Sequence, residues 1–261
     1  MDTTTRTGSI WCGIDLAADP RRTGLAFLVE DPADHRVHID SVAVGADDDT
    51  VVAAVVRADR TGVDVPFGWP QPFAALIAAH ARGDVSAELP TGDGWRRHLA
   101  MRTTDLVVRA RAGVVPLSVS TDRIAHPAFR WAAVAARLRA HGVDTARDGT
   151  GSACEVYPAA ALKVWGLPHR GYKGRDHDAR RRDLVRRLAD MLPWLEWHGY
   201  DELCADSDDA VDAVLSALLA REVAGGRCLR PEPEQAEAAR VEGWICLPTG
   251  DPAAPPHFAS A

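Results

Sequence analysis

Apolar residues in the first part of the chain fall into short runs, which is the pattern of strands. Ser9–Leu16 reads as a buried strand, Thr23–Glu30 as a second after a turn at Asp19-Pro20, and Arg36–Val44 as a third after a turn over Asp31–His35. Three such segments joined by turns predict an antiparallel meander. The period then changes. Asp47-Asp-Asp-Thr50 starts a helix with Val51, Val52, Val55 and Val56 on its apolar face, and Gly62–Val65 is again a short buried strand, ended by Pro66 and Gly68. A strand reached through a crossover helix is expected to lie parallel to an earlier strand.

The middle of the chain is more helical. Gln71–Arg82, Trp95–Arg111 and His126–His141 read as helices, with a loop over Leu89–Gly94 and a short strand over Val114–Val119. Gly149-Thr-Gly-Ser152 is a joint before a strand around Glu155, and Pro158 opens a helix to Trp165. An arginine-rich connection, Gly171–Arg182, leads into a helix with Leu184, Leu188 and Leu192 on one face. Ser207 or Asp206 caps the last long helix, which runs to Ala224 and stops at Gly225-Gly226. Val241–Leu247 reads as a final strand and Asp251–Ala261 as a frayed tail. No repeat or linker divides the chain. The expectation is one α/β domain over residues 1–261 with a helical insertion over residues 71–150.

Composition narrows the function classes. A chain of 261 residues buries a sizeable core without disulfides or zinc. The net charge of −7 argues against a strongly basic nucleic-acid-binding protein, though one basic strip suffices for phosphate contacts. Five cysteines without C-x-x-C spacing read as reduced thiols, and no leader or membrane-spanning run is visible, so the expected compartment is the cytoplasm. The ten histidines show no metal spacing. Neither a Walker loop nor a hydrolase elbow is present.

Carboxylates inside the apolar segments carry the chemistry. Asp15 ends the first strand and Asp64 the fourth, Glu155 lies between Cys154 and Val156, and Asp209 and Asp212 lie on the nearly apolar last helix. A buried carboxylate is costly unless it is paired or binds a cation. Asp15 either caps the turn after it or serves a site. Asp64 either bonds loop amides or joins Asp15 across a parallel strand pair. Asp209 and Asp212 share a helix face at i and i+3, and the flanking Val211, Ala213, Val214 and Leu215 desolvate Asp212. Glu155 is either a further ligand or the partner of an arginine such as Arg102. Four or five carboxylates suit a two-metal site for Mg²⁺ or Mn²⁺ better than an acid/base pair. In His169–Arg175, the residues Tyr172, Lys173 and Arg175 either contact nucleic acid or form a solvated loop; Arg180–Arg182 and the stretch Arg96–Arg111 are equally open.

The element order resembles the ribonuclease H-like fold, and Asp209-Ala-Val-Asp212-Ala is similar to the last-helix motif of Holliday-junction resolvases with that fold. More closely, the chain resembles the domain-of-unknown-function 429 family of bacterial and archaeal proteins, regarded as RNase H-fold nucleases. The matching stretches are Gly13-Ile-Asp-Leu-Ala17, Asp64-Val-Pro-Phe-Gly68, Arg102-Thr-Thr-Asp105, Glu155-Val-Tyr-Pro158, Lys173-Gly174, Asp208-Asp-Ala-Val-Asp-Ala213 and Glu242-Gly-Trp-Ile-Cys-Leu-Pro248. The resemblance implies a mixed sheet with helices on both faces. It implies Asp15, Asp64, Asp209 and Asp212 as metal ligands, Glu155 as an extra catalytic carboxylate, and supporting roles for Arg102 and Asp105. Ribonucleases H proper carry a glutamate in the first helix; Val51–Ala58 has none, which leans away from RNA–DNA hybrids toward the resolvase-like acid set. The expected reaction is metal-assisted hydrolysis of nucleic-acid phosphodiesters. The competing expectations are an ATP-dependent phosphotransferase of the actin and sugar-kinase superfold and a non-catalytic binding or scaffold protein.

Overall fold

The computed structural model describes residues 8–31, 36–86 and 93–253. Most of the turn expected at Asp31–His35, of the loop at Leu89–Gly94 and of the tail at Asp251–Ala261 lies outside them. Strands β1 (Ser9–Asp15), β2 (Gly24–Glu30) and β3 (Val37–Val44) form the expected antiparallel meander. Helix α1 (Asp48–Arg57) is capped by the Asp47 side chain, which accepts the Thr50 N–H at 2.9 Å. It leads to β4 (Arg60–Asp64), parallel to β1. Strand β5 (Ala153–Glu155) lies parallel to β4, and a short β6 (Leu195–Glu196), which the sequence pattern does not reveal, pairs parallel with β3. The six-stranded sheet has the order β5-β4-β1-β2-β3-β6. This mixed α/β architecture is consistent with the ribonuclease H-like fold.

Among the described residues, four helices lie between β4 and β5: α2 (Gln71–Arg82), α3 (Asp93–Ala100), α4 (Thr103–Ala112) and α5 (Ala125–Ala140). The single helix expected over Trp95–Arg111 is broken because Arg102 takes extended backbone (φ −71°, ψ 161°) as the N-cap of α4. The strand expected over Val114–Val119 is absent. There, the Ser118 hydroxyl donates to Ala100 O and accepts the N–H groups of Ser120 and Thr121, which makes a turn. After β5 come α6 (Pro158–Val164), α7 (Asp178–Met191), α8 (Tyr200–Asp206), α9 (Asp208–Ala224) and α10 (Ala236–Glu242). In place of the expected strand over Val241–Leu247, α10 runs to Glu242 and ends at Gly243 (φ 93°); only Ile245 bridges, to Glu155. No helix among the described residues is long and apolar enough to cross a membrane.

Alternation along β1 divides the core. Cys12 and Ile14 pack with Phe27, Val63, α1 and α5 on one face, while Trp11 packs with α9 and the α6–α8 layer on the other. Helix α9 is apolar around nearly its whole circumference because it lies between the sheet and those outer helices. Three glycines on neighbouring strands let it sit unusually low. A Cβ on Gly13 would run into the backbone of Ala213 and Ala217, one on Gly24 into Asp209 O, and one on Gly62 into Ser216 O. Glycine within a strand weakens the strand but permits this close backbone approach.

Candidate metal centre

β1 and β4 end side by side, and their parallel register pairs Asp15 with Asp64. Asp15 projects to the same side as Gly13, under α9. The helix supplies Asp212, which is fully buried. Ala213, the next residue, rests on Gly13 and Gly24, so the glycine seat sets the height at which Asp212 meets the strand ends. Carboxylate oxygens of Asp15, Asp64 and Asp212 all lie within 4.8 Å of one another.

Two side chains of one loop complete the cluster. The Tyr172 hydroxyl, itself buried, donates to Asp212 Oδ1 at 2.8 Å, and the Lys173 ammonium ion-pairs with Asp212 Oδ2. About half of the Lys173 side-chain surface stays open to solvent, so its charged end turns inward from an exposed stem. The loop is firmly held. Buried Arg181 donates to Tyr172 O at 3.0 Å and Gly174 O at 3.2 Å, and Asp208 accepts the Gly174 N–H at 3.0 Å. Arg181 is therefore a structural clamp, not a phosphate ligand as the basic run Arg180–Arg182 allowed.

Crowding is visible in the titration of these groups. Burial, reinforced by Asp212, pushes the Asp15 carboxyl well above the usual carboxylate range. Burial raises Asp64 to about 7, although Lys173 works against it, and burial raises Asp212 as well. Burial disfavours a charged lysine, yet Asp212, Tyr172, Asp64 and Asp15 together hold Lys173 well above its ordinary value. Burial and then Asp212 push the Tyr172 hydroxyl up, so it remains a donor at neutral pH. When all are ionised, three carboxylates face one ammonium, which leaves two negative charges uncompensated. That deficit equals the charge of a divalent cation, and the three carboxylates can hold a metal ion.

The other expected site residues are placed differently. Glu155 is not in the cluster. Its carboxylate accepts Arg102 Nη1 at 2.8 Å, Arg102 Nη2 at 2.6 Å and the Phe67 N–H at 2.9 Å. Arg102, 2 % exposed, also binds Asp105 at 2.9 Å. Arg102 is thus no substrate contact: it is locked between two buried carboxylates, with each of which it forms an ion pair. Tyr172 offers no face for base stacking, because it is buried against Asp212. Asp209 turns away at the rim to Arg22, at 2.9 Å, so three of the four expected ligands converge. Arg175 is exposed beyond the loop.

Sequence reasoning missed Glu242. Its two oxygens accept the N–H groups of Gln71 (2.9 Å) and Thr103 (2.8 Å), capping α2 and α4 at once. It also missed Arg130, which binds Ala17 O at 2.7 Å and Ala46 O at 3.0 Å and so pins the turn after Asp15. The strand-interior glycines were the available signal for the seat of α9.

Residues 13–236 match the model of the family described as a protein of unknown function, DUF429. The chain belongs to that family. The matched stretch contains Asp15, Asp64, Asp212, Tyr172 and Lys173, and leaves Glu242 outside. No curated protein and no solved structure matches the chain.

Proposed function

We propose that this DUF429 protein is a nuclease that hydrolyses phosphodiester bonds of nucleic acid with a divalent metal held by Asp15, Asp64 and Asp212. The observation that carries this reading is the convergence of three carboxylates from three separate elements, two positive charges short of neutrality, where Asp64 lines a cleft of about 750 Å³. An all-oxygen carboxylate set suits Mg²⁺ or Mn²⁺. Such an ion supplies a nucleophile from water at neutral pH and stabilises charge on the phosphoryl oxygens.

The protein's own groups have distinct parts. Tyr172 fixes Asp212 through one oxygen and leaves the other facing the cluster. Lys173 screens the carboxylates in the metal-free protein; its exposed stem lets the ammonium turn from Asp212 to a substrate phosphate. Asp64 faces both the cluster and the cleft, so it orients the reacting water. Three carboxylates serve one ion. A second ion of the kind expected from the sequence requires Asp209 to leave Arg22.

The test is Mg²⁺- and Mn²⁺-dependent cleavage of labelled single-stranded, duplex, hybrid and branched nucleic acids, with Asp15→Asn as control. Metal-dependent cleavage that Asp15→Asn abolishes while remaining folded is expected. No cleavage on the panel, with no metal-induced rise in Tm, would overturn the proposal.

A further inference from the structure

The cleft beside Asp64 has features the metal cluster does not account for. One wall is apolar: Val114, Val115, Pro116 and Leu117, a segment that Ser118 turns away from strand pairing. Tyr157, packed against the same apolar cluster as Val114, adds a half-buried ring to the lining. Basic side chains also line the cleft, with Arg123 just before α5, His126 in its first turn, and His169, Arg170 and Lys173 on the loop that carries the cluster's ammonium. Burial, with smaller contributions from Lys163 and Arg170, holds His169 below its ordinary pKa.

The apolar surface continues out of the cleft. Phe129 lies one turn beyond His126 on α5 and is 59 % exposed. Its ring stacks on Trp69 (centroids 5.3 Å, interplanar angle 21°) and meets His126 edge-on at 6.5 Å. Val115 and Leu117 are also largely exposed. Bare aromatic and aliphatic surface interleaved with cationic side chains is the chemistry of a bound strand, with faces for bases and charges for the backbone.

Shape decides which kind of strand. The cleft volume of about 750 Å³ is in the range that encloses one small organic unit, not a segment of double helix. Asp212 is fully buried and Asp15 and Asp64 are only partly open, so a phosphate must enter the cleft to reach them. We infer that the cleft receives one unpaired nucleotide, with its base against the apolar surface of Tyr157 and the Val114–Leu117 wall and its phosphate at Asp64 and Lys173. The adjoining base stacks on Phe129 and His126, and Arg123 and Arg170 face the backbone. The substrate is then a single strand or a frayed end. This rests on the nuclease reading and adds strandedness to it.

The experiment measures binding by fluorescence anisotropy in Ca²⁺, with a short labelled oligonucleotide offered as a single strand and as a blunt, hairpin-closed duplex, in DNA and RNA versions. Cleavage of the same probes is followed in Mn²⁺. The single strand is expected to bind at least about tenfold more tightly than the duplex, and Phe129→Ala is expected to weaken strand binding about tenfold. Phe129 is exposed, so that variant keeps the fold; Arg170→Ala in the cleft lining gives an independent loss. Equal binding of duplex and strand, or unchanged affinity in both variants, overturns the inference. Metal-dependent cutting that prefers the duplex overturns it while the nuclease reading stands. Tight, Phe129-dependent strand binding without cleavage supports it while the nuclease reading fails. Hydrolysis of a nucleoside monophosphate with no oligonucleotide binding overturns it in favour of a small phosphoester substrate.

Discussion

Glu155→Gln and Asp64→Asn remove one negative charge each from neighbouring strands, yet they should change stability in opposite directions. Glu155 has both oxygens satisfied, at 2.6 and 2.8 Å by Arg102 and at 2.9 Å by Phe67 N–H. A glutamine there turns an amide N–H₂ toward a guanidinium that only donates, and breaks a buried ion pair. Removing one partner of such a pair costs about 3 to 5 kcal/mol. Asp105 still neutralises Arg102, so the lower end applies. For a chain of this size, about 3 kcal/mol corresponds to a fall in Tm of roughly 6 to 12 °C. Burial raises both carboxyls, but Arg102 holds both oxygens of Glu155, whereas Asp64 faces Asp15 and Asp212. The Asp64 carboxyl is raised to about 7, so ionising it in the folded, metal-free protein at alkaline pH costs stability. Asparagine removes that cost, and with partial exposure of the site discounted the gain is about 1 to 2 kcal/mol. Thermal melts of the metal-free proteins, repeated with Mn²⁺, separate the two roles. Glu155→Gln should melt lower and still gain Tm with Mn²⁺; Asp64→Asn should melt higher and gain nothing. A Glu155→Gln protein with unchanged metal-free Tm and no response to Mn²⁺ would make Glu155 a ligand and refute this reasoning.

Gly13→Ala should destabilise by about 1 to 3 kcal/mol or more, since its Cβ meets the backbone of Ala213 and Ala217. By lifting α9 it should also abolish the Mn²⁺-induced Tm rise; a normal rise in a folded Gly13→Ala protein would show that the glycine seat does not position Asp212. Metal-free stability should increase as pH falls from about 8 toward about 5, because the raised folded pKa of Asp64, with those of Asp15 and Asp212, stabilises through proton uptake. That contribution is complete below the ordinary carboxylate value and is lost as pH rises through about 7 for Asp64. Lys173 titrates above this window and does not reverse the sign. Mn²⁺ competes with those protons, so the metal-induced Tm rise should grow with pH, and chemical denaturation across the range reads both trends.

Much of the frame was legible because periodicity is local. The meander, α1 with its Asp47 cap, β4, α2, α7 and α9 with its Ser207 cap all follow from apolar spacing and turn chemistry within a few residues. The breaks at Arg102 and Ser118 involve partners elsewhere along the chain, Glu155 for Arg102 and Ala100 for Ser118, whereas the strand expected near Ile245 is cut short locally, by α10 and its end at Gly243. Strand β6 is two residues long, too short for any alternation.

The site divides in the same way. Sequence alone determined that Asp15 and Asp64 end strands and that Asp212 lies on a buried helix, because a carboxylate within an apolar segment is conspicuous and period-two alternation assigns the strand face of Asp15. Tertiary structure alone decided which carboxylates meet. Glu155 and Asp212 look equally anomalous in sequence, each flanked by apolar residues. Arg102 holds both oxygens of the first, whereas the second is left with Asp15, Asp64 and a single ammonium. The energy of a buried charge depends on the charges within a few ångströms of it. Those neighbours come from elements well separated along the chain, and packing, here α9 seated on three glycines, brings them together.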